Sequence, residues 1–138
     1  MTPTPYETIG GREAVVRLVD RFYDLMDTLP EAQNIRALHQ DDLTADRHKL
    51  VAFLSGWLGG PSLYWEGTSD ALVKRRHTHL PIDTAAARAW LRCMTGALET
   101  VVEDQALRRQ LLRRFARVAM NARNIHRGDA AHTPDADP

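Results

Sequence analysis

The sequence is poor in cysteine and has no excess of either charge. Cys93 is the only cysteine among 138 residues, so an internal disulfide is excluded. Its place within an apolar helical pattern indicates a buried thiol in a reducing compartment. Lys and Arg together number 18, as do Asp and Glu, which makes the formal net charge zero. Such a chain has no long-range field that would gather nucleic acid or an anionic membrane, so we expect a small molecule as the partner.

Long hydrophobic runs are also missing. No segment approaches the roughly 20 apolar residues that a membrane-spanning helix needs. The N-terminal residues MTPTPYETIGG lack the basic and apolar regions of a secretory signal, so we expect a cytoplasmic protein without a membrane partner. The length suits a single folded domain, which we place at residues 1–126. The tail at residues 127–138, RGDAAHTPDADP, has little to bury and is predicted to be disordered.

The motifs of several common enzyme classes are absent. The sequence has no GxSxG elbow, no Walker loop and no GxGxxG turn, which argues against the familiar hydrolases and nucleotide-binding enzymes. The histidines form no HExxH pair and join no cysteine pair, so their spacing argues against a zinc site. The histidines are His39, His48, His77, His79, His126 and His132.

Apolar residues recur every three or four positions almost throughout the chain, and this period predicts an all-α fold. Proline and glycine mark the predicted helix ends, and Ser, Thr and Asp mark the starts. The expected helices are a long one between Gly10-Gly11 and Pro30, a short one from Glu31 to about Leu38, one from near Thr44 to Gly59-Gly60-Pro61, a short one from Ser69-Asp70 to His77, a long one capped by Asp83 and another that follows Asp104.

One histidine lies in surroundings that suit a haem. His77 closes the last predicted turn of its helix beside Lys74, Arg75 and Arg76. A haem iron takes a neutral imidazole, its macrocycle needs apolar walls, and its propionates are favoured near cations. His79 competes for this role, but at about 100° per residue it points roughly 200° away, so only one of the two faces a pocket.

Several motifs together resemble a known family. YETIGG, LVDRFYDLMD, DDL, FLSGWLGGPSLY, RRH and AWLRCM occur in the order and at spacings similar to those of the group II truncated haemoglobins, over about residues 6 to 125. The resemblance implies a two-over-two helical sandwich around haem b. The chain departs from it at Ser69-Asp70-Ala71, where the family often has GHP. At Asp46, an unusual residue for its position on the distal helix, we assign no ligand contact.

The resemblance also implies roles for individual residues. His77 falls at the proximal iron ligand, Tyr23 at the distal tyrosine and Trp90 at the distal tryptophan. His39 or Leu38 falls at the distal corner, because a one-residue shift in this loop leaves both open. The other residues that we expect in the haem pocket are Leu50, Phe53, Lys74, Arg76 and Met94.

Donors at Tyr23, Trp90 and, as a third, His39 would hold bound oxygen strongly. We therefore expect oxygen scavenging, sensing, or redox chemistry with nitric oxide or peroxide, with a reductase as a further partner and a monomer or homodimer as the assembly. One alternative is a cofactor-free helical interaction module in which Tyr23 and Trp90 are ordinary core residues. Another is a nucleic-acid binder, which zero net charge disfavours. It would use the arginines of the last helix, Arg108, Arg109, Arg113, Arg114 and Arg117, which we interpret as a solvated face.

Overall fold

The structure is a computed structural model that describes residues 3–61 and 82–123, and all regular structure in these ranges is helical. This confirms the all-α prediction. The predicted helix from Ser69 to His77 and the predicted disordered tail lie outside the described residues. The helices are α1 (Pro5–Ile9), α2 (Arg12–Thr28), α3 (Gln33–Arg36), α4 (Thr44–Trp57), α5 (Thr84–Val101) and α6 (Gln105–Asn121), with a 3-10 turn at Pro30–Ala32.

Two aspartates start the last two helices, as predicted. The Asp83 carboxylate accepts a hydrogen bond from the backbone N–H of Ala86 at 2.8 Å. The Asp104 carboxylate accepts from the backbone N–H groups of Ala106 at 3.0 Å and Leu107 at 3.1 Å. The first N–H groups of a helix have no partner within the helix, so an acceptor at this position stabilises the start. Local sequence therefore determines where α5 and α6 begin.

The short helix α1 was missed in the sequence. The Thr4 hydroxyl accepts from the Glu7 backbone N–H at 3.2 Å, and the Glu7 carboxylate accepts from the Thr4 N–H at 2.9 Å. This reciprocal pair is a capping box, and Pro5 at the first helical position favours it further. Tyr6 lies against Gly60, where a Cβ atom would come within 2.5 Å of the ring. The sequence TPYE contained the signal for this helix.

The single helix predicted from Glu31 to Leu38 was wrong, because the segment is divided into a 3-10 turn and α3. Ala32 breaks the helical path with φ −104° and ψ 2°. The side-chain amide of Gln33 donates to the carbonyl oxygens of Leu29 at 3.0 Å and Met26 at 3.3 Å, at the end of α2. These bonds satisfy carbonyl groups that the end of a helix leaves open, and they hold the segment in a turn.

Helix α2 lies at the centre of the fold. It packs extensively against α5 and also against α4, while α5 packs against α6. The pair α2 and α4 is thus stacked on the pair α5 and α6, which agrees with the predicted two-over-two sandwich. Fully burying one large apolar side chain contributes about 1.5–3 kcal/mol. The largest fully buried side chains are Phe22, Phe115, Leu18, Met26, Leu54, Leu58, Met94, Leu98 and Leu111. Among the described helices, none is long and apolar enough to cross a membrane.

Candidate functional site

Aromatic rings from separate parts of the chain meet in the core. Phe22 contacts Tyr23 edge to face with ring centroids 5.0 Å apart, and it contacts Trp90 of α5 at 5.4 Å. Tyr23 contacts His39 edge to face at 6.0 Å, and Trp90 contacts Phe115 of α6 at 5.7 Å. The structure therefore brings Tyr23, His39 and Trp90, three of the predicted site residues, into one connected cluster.

Tyr23 lies where α2 meets α4. Its side chain is only 5% exposed, and its hydroxyl donates to the backbone carbonyl of Asp46 at 3.4 Å. The guanidinium carbon of Arg47 lies 5.4 Å from the ring centroid, over the face of the phenol. Both contacts come from the first turns of α4. The position of the phenol thus depends on how α4 packs against α2.

His39 follows α3 and is half-buried. Its Nδ1 atom lies 2.8 Å from the backbone carbonyl oxygen of Ile35. A carbonyl oxygen can only accept, so Nδ1 carries a proton, and in the neutral tautomer that has this proton Nε2 is an acceptor. Leu38, the other candidate for the distal corner, is half-buried against the core. Of the two, His39 contacts the Tyr23 ring.

The predicted apolar wall on α4 is half-buried. Leu50 and Phe53 pack against the core, as does Trp90 of α5, and each keeps part of its surface accessible. Met94, also predicted to line the pocket, is fully buried. The accessible parts of Leu50 and Phe53 are apolar surface on α4, the helix whose Asp46 carbonyl accepts from the Tyr23 hydroxyl. Ligand pockets are mostly apolar and carry a few polar groups, so these residues suit a flat, largely apolar ligand with a polar group at its centre.

The predicted proximal ligand and the basic rim lie outside the described residues. His77, its competitor His79, and the cations Lys74, Arg75 and Arg76 all fall in this part of the chain. The structure therefore reports on the distal residues of the candidate site, and the proximal assignments stay predictions.

Comparison with known proteins identifies the family. The family described as bacterial-like globin matches residues 4–124 of the chain. The chain belongs to this globin family. The globin is 36% identical over 121 residues to the Group 2 truncated hemoglobin YjbI of Bacillus subtilis, and the match covers 88% of this chain and 86% of the relative.

Solved structures agree with this assignment. The group II 2-on-2 haemoglobin of Agrobacterium tumefaciens is 41% identical, with a TM-score of 0.83 over 89% of this globin and 95% of that chain. The cold-adapted truncated haemoglobin of Pseudoalteromonas haloplanktis TAC125 is 34% identical, with a TM-score of 0.84 over 90% of this globin and 100% of that chain. The predicted group II truncated haemoglobin family and its two-over-two fold are confirmed.

Membership of this family implies a haem cofactor, and the described residues of the globin fit one. Half-buried apolar side chains from α4 and α5 offer walls for a macrocycle. Tyr23 and Trp90, whose rings both contact Phe22, carry a hydroxyl and an indole N–H, which are neutral hydrogen-bonding groups. This combination favours the haem-binding interpretation over the cofactor-free module.

Two residues near the candidate site were missed in the sequence. Phe22 is one of the apolar residues that recur along its helix, and no polar group distinguishes it from the other core residues. Arg47 contacts Tyr23 across a helix boundary, and no spacing rule within one helix predicts a contact between two helices. The packing of α2 against α5 reveals the contact of Phe22 with Trp90, and the packing of α2 against α4 reveals that of Arg47 with Tyr23.

Proposed function

We propose that this globin binds haem b through His77 and holds a diatomic ligand, with oxygen as the first candidate, by hydrogen bonds from Tyr23 and Trp90. When bound, the haem would supply an iron that takes such a ligand. The observation that carries the proposal is the convergence of Tyr23 and Trp90 on Phe22, at centroid distances of 5.0 Å and 5.4 Å.

The distal donors set how slowly the ligand leaves. The Trp90 indole N–H donates to a ligand atom that carries partial negative charge. The single proton of the Tyr23 hydroxyl points to the Asp46 carbonyl in this structure, so in this proposal the O–H turns about its C–O bond and donates to the same ligand atom. Hydrogen bonds to charged groups contribute about 1.5–3 kcal/mol each. Two together slow release by on the order of a hundredfold to ten-thousandfold. A truncated haemoglobin of Bacillus subtilis, which is 35% identical to this chain, is oxygen-avid.

His39 takes a supporting role in this proposal. In its neutral form it presents an acceptor at Nε2, since Nδ1 donates to the Ile35 carbonyl, so its edge-to-face contact helps to hold the Tyr23 ring. A direct donor role for His39 requires protonation of Nε2. The apolar side chains that exclude water from the ligand are Leu38, Leu50, Phe53 and Met94. Lys74, Arg75 and Arg76 provide cations for the propionates at the rim.

Slow release favours retention of the ligand over its delivery. We therefore place this globin in oxygen scavenging, sensing, or nitric oxide dioxygenase or peroxidase-like chemistry in the cytoplasm. Repeated redox turnover requires an electron donor, so a reductase belongs to the proposal as a partner. Consumption of nitric oxide by the oxygenated protein, measured with and without a chemical reductant, separates the redox role from sensing. Sedimentation decides between the monomer and the homodimer.

The decisive experiment is the visible absorption spectrum of the protein produced with sufficient haem. We expect a Soret band that moves on addition of dithionite and again with carbon monoxide, and a pyridine haemochrome spectrum of the b type. A colourless protein under haem-sufficient conditions, with its helical circular dichroism intact, would contradict the haem-binding proposal and support the cofactor-free module.

A further inference from the structure

Arg47 connects α4 to one turn of α2. Its Nη1 atom lies 2.9 Å from the carboxylate of Asp20, and its Nη2 atom lies 3.9 Å from that of Asp24. Its guanidinium carbon lies 5.4 Å from the ring centroid of Tyr23. Residues spaced by three and four share one face of a helix, so Asp20, Tyr23 and Asp24 form a single surface that one guanidinium can cover.

The adjoining residue of α4 holds the other end of the phenol. The Tyr23 hydroxyl donates to the carbonyl oxygen of Asp46, while Arg47 lies over the ring face. Phe22 and His39 contact the same ring edge to face. Two consecutive residues of α4 thus contact the ring and the hydroxyl of Tyr23, so a change of the Tyr23 side-chain rotamer that moves both would break both contacts.

Arg47 is more exposed than the ring that it contacts. The Arg47 side chain is 29% exposed and the Tyr23 residue only 5%. On the outer side a groove of about 460 Å³ runs between α2 and α4, and Arg47 is part of its lining. The other residues that line this groove are Arg12, Val16, Asp20, Thr44, His48 and Val51. Arg47 therefore lines the groove and also contacts the phenol ring, whereas Tyr23 is not part of the groove lining.

We propose that Arg47 is a positioning residue that holds the Tyr23 ring and thereby tunes how fast the diatomic ligand leaves. Asp20 and Asp24 fix the guanidinium over the ring, and the cation is attracted to the ring face. The acids are largely exposed, and such ion pairs contribute little to folding stability. Positioning can therefore be measured without loss of the fold. The effect on ligand release rests on the proposed donor role of Tyr23, whereas the effect on the ring does not.

The test uses the haem-loaded protein with carbon-13 in its tyrosine rings. The chain has three tyrosines, so the Tyr23 signal is assigned by its loss in Tyr23→Phe. We expect Arg47→Gln to move or broaden the Tyr23 signal and to shift the C–O stretching frequency of the carbon monoxide complex. Oxygen release should become about 2- to 5-fold faster, which is the factor that an exposed cation–π contact provides.

Further variants separate the contacts of Arg47. Arg47→Lys keeps the charge for Asp20 but lacks the planar group that stacks on a ring. Its Tyr23 signal should therefore lie between those of the parent and of Arg47→Gln. The double variant Asp20→Asn with Asp24→Asn leaves Arg47 in place without its ion pairs and should give a smaller shift in the same direction. This variant changes only exposed side chains, so it keeps the test open if Arg47→Gln does not fold.

Arg114→Gln is the matched control. Arg114 lies over the Trp57 ring with its guanidinium carbon 4.0 Å from the centroid, so this variant also removes a cation from a ring face. It should leave the Tyr23 signal unchanged. In a Tyr23→Phe background, Arg47→Gln should no longer alter oxygen release, because the two residues act through one contact.

An unchanged Tyr23 signal in Arg47→Gln would overturn the proposal. Equal acceleration of release in the Tyr23 and Tyr23→Phe backgrounds would also overturn it, because Arg47 would then act on the ligand by another route. If Tyr23→Phe alone leaves release unchanged while Arg47→Gln still moves the Tyr23 signal, the positioning role stands. In that case the donor role proposed for Tyr23 is wrong.

Discussion

Tyr23 and His39 meet edge to face, with ring centroids 6.0 Å apart, although α2 ends and α3 intervenes between them. The contact depends on the division of the intervening chain into the 3-10 turn at Pro30–Ala32 and α3. Gln33 ties the start of α3 to the carbonyl groups at the end of α2, and Ile35 holds the imidazole through its own carbonyl. The loop that carries His39 is thereby brought back beside Tyr23.

The first prediction concerns the two distal donors. Tyr23→Phe and Trp90→Phe each remove a donor and keep an aromatic ring, so oxygen dissociation should become faster in each variant. If both groups donate to one ligand, the double variant should be non-additive. Stopped-flow measurement of oxygen release provides the rates.

A matched control is Tyr6→Phe, which makes the same chemical change at a different place. Tyr6 lies on α1 against Gly60. It should release oxygen at the parental rate. Unchanged release in both Tyr23→Phe and Trp90→Phe, with intact haem spectra, would reduce Tyr23 and Trp90 to core residues.

The second prediction assigns the iron ligand. His77→Gly should lose haem or bind it only when imidazole is added, because the small side chain leaves space for an external ligand. His79→Ala should bind haem as the parent does. Haem content and the Soret spectrum measure both variants, and the reverse pattern would transfer the proximal role to His79.

The third prediction tests the basic rim. Replacing Lys74, Arg75 and Arg76 together by glutamine should modestly accelerate haem dissociation to an acceptor apoglobin. Each partly exposed contact to a propionate is worth roughly 0–1 kcal/mol. A triple glutamine variant of Arg109, Arg113 and Arg117, which are exposed on α6, controls for the loss of three positive charges. Equal rates in the two triple variants would show that the rim residues are solvent charges.

The fourth prediction concerns the start of α6. Asp104→Ala removes the acceptor for the backbone N–H groups of Ala106 and Leu107, so the free energy of unfolding should fall by about 0.5–2 kcal/mol. The control Glu103→Ala removes the exposed carboxylate next to the cap and should change it by less than about 0.5 kcal/mol. Urea unfolding measures both. An equal loss in the two variants would show that charge near the helix start matters more than the cap.

The fifth prediction concerns Cys93, which is completely buried. Burial raises the pKa of its thiol from 9.0 to about 11; nearby Arg92 acts in the opposite direction and Glu31 in the same direction. The thiolate is the reactive form, so native protein at pH 8 should react very slowly with a disulfide reagent and unfolded protein rapidly. Equal rates in the native and unfolded protein would contradict the burial.

Ionisation of the Cys93 thiol should also make the free energy of unfolding depend on pH. Its pKa is higher in the folded than in the unfolded chain, so its contribution to stability is complete below pH 9. That contribution should be lost as the pH rises from about 9 towards 11, because the unfolded thiol ionises first. Stability of the parent relative to Cys93→Ser, which lacks this ionisation, should decline across this window.

Sequence alone determined the features that depend on near neighbours in the chain. The apolar period predicted the helices, Asp83 and Asp104 marked the starts of α5 and α6, and the motif order indicated the family. The capping box at Thr4 and Glu7 was equally local and could have been found. These features are accessible because a cap or an apolar stripe is satisfied by residues within a few positions of one another.

Only the tertiary structure decided which of these elements meet. The contact between Tyr23 and His39, the position of Phe22 between Tyr23 and Trp90, and the placement of Arg47 over Tyr23 all join separate elements. Such contacts follow from how α2 packs against its neighbours, and that packing is a collective result of burying many apolar side chains at once. No short stretch of sequence contains it, because each helix's apolar stripe would accept several partners until all the helices are packed together.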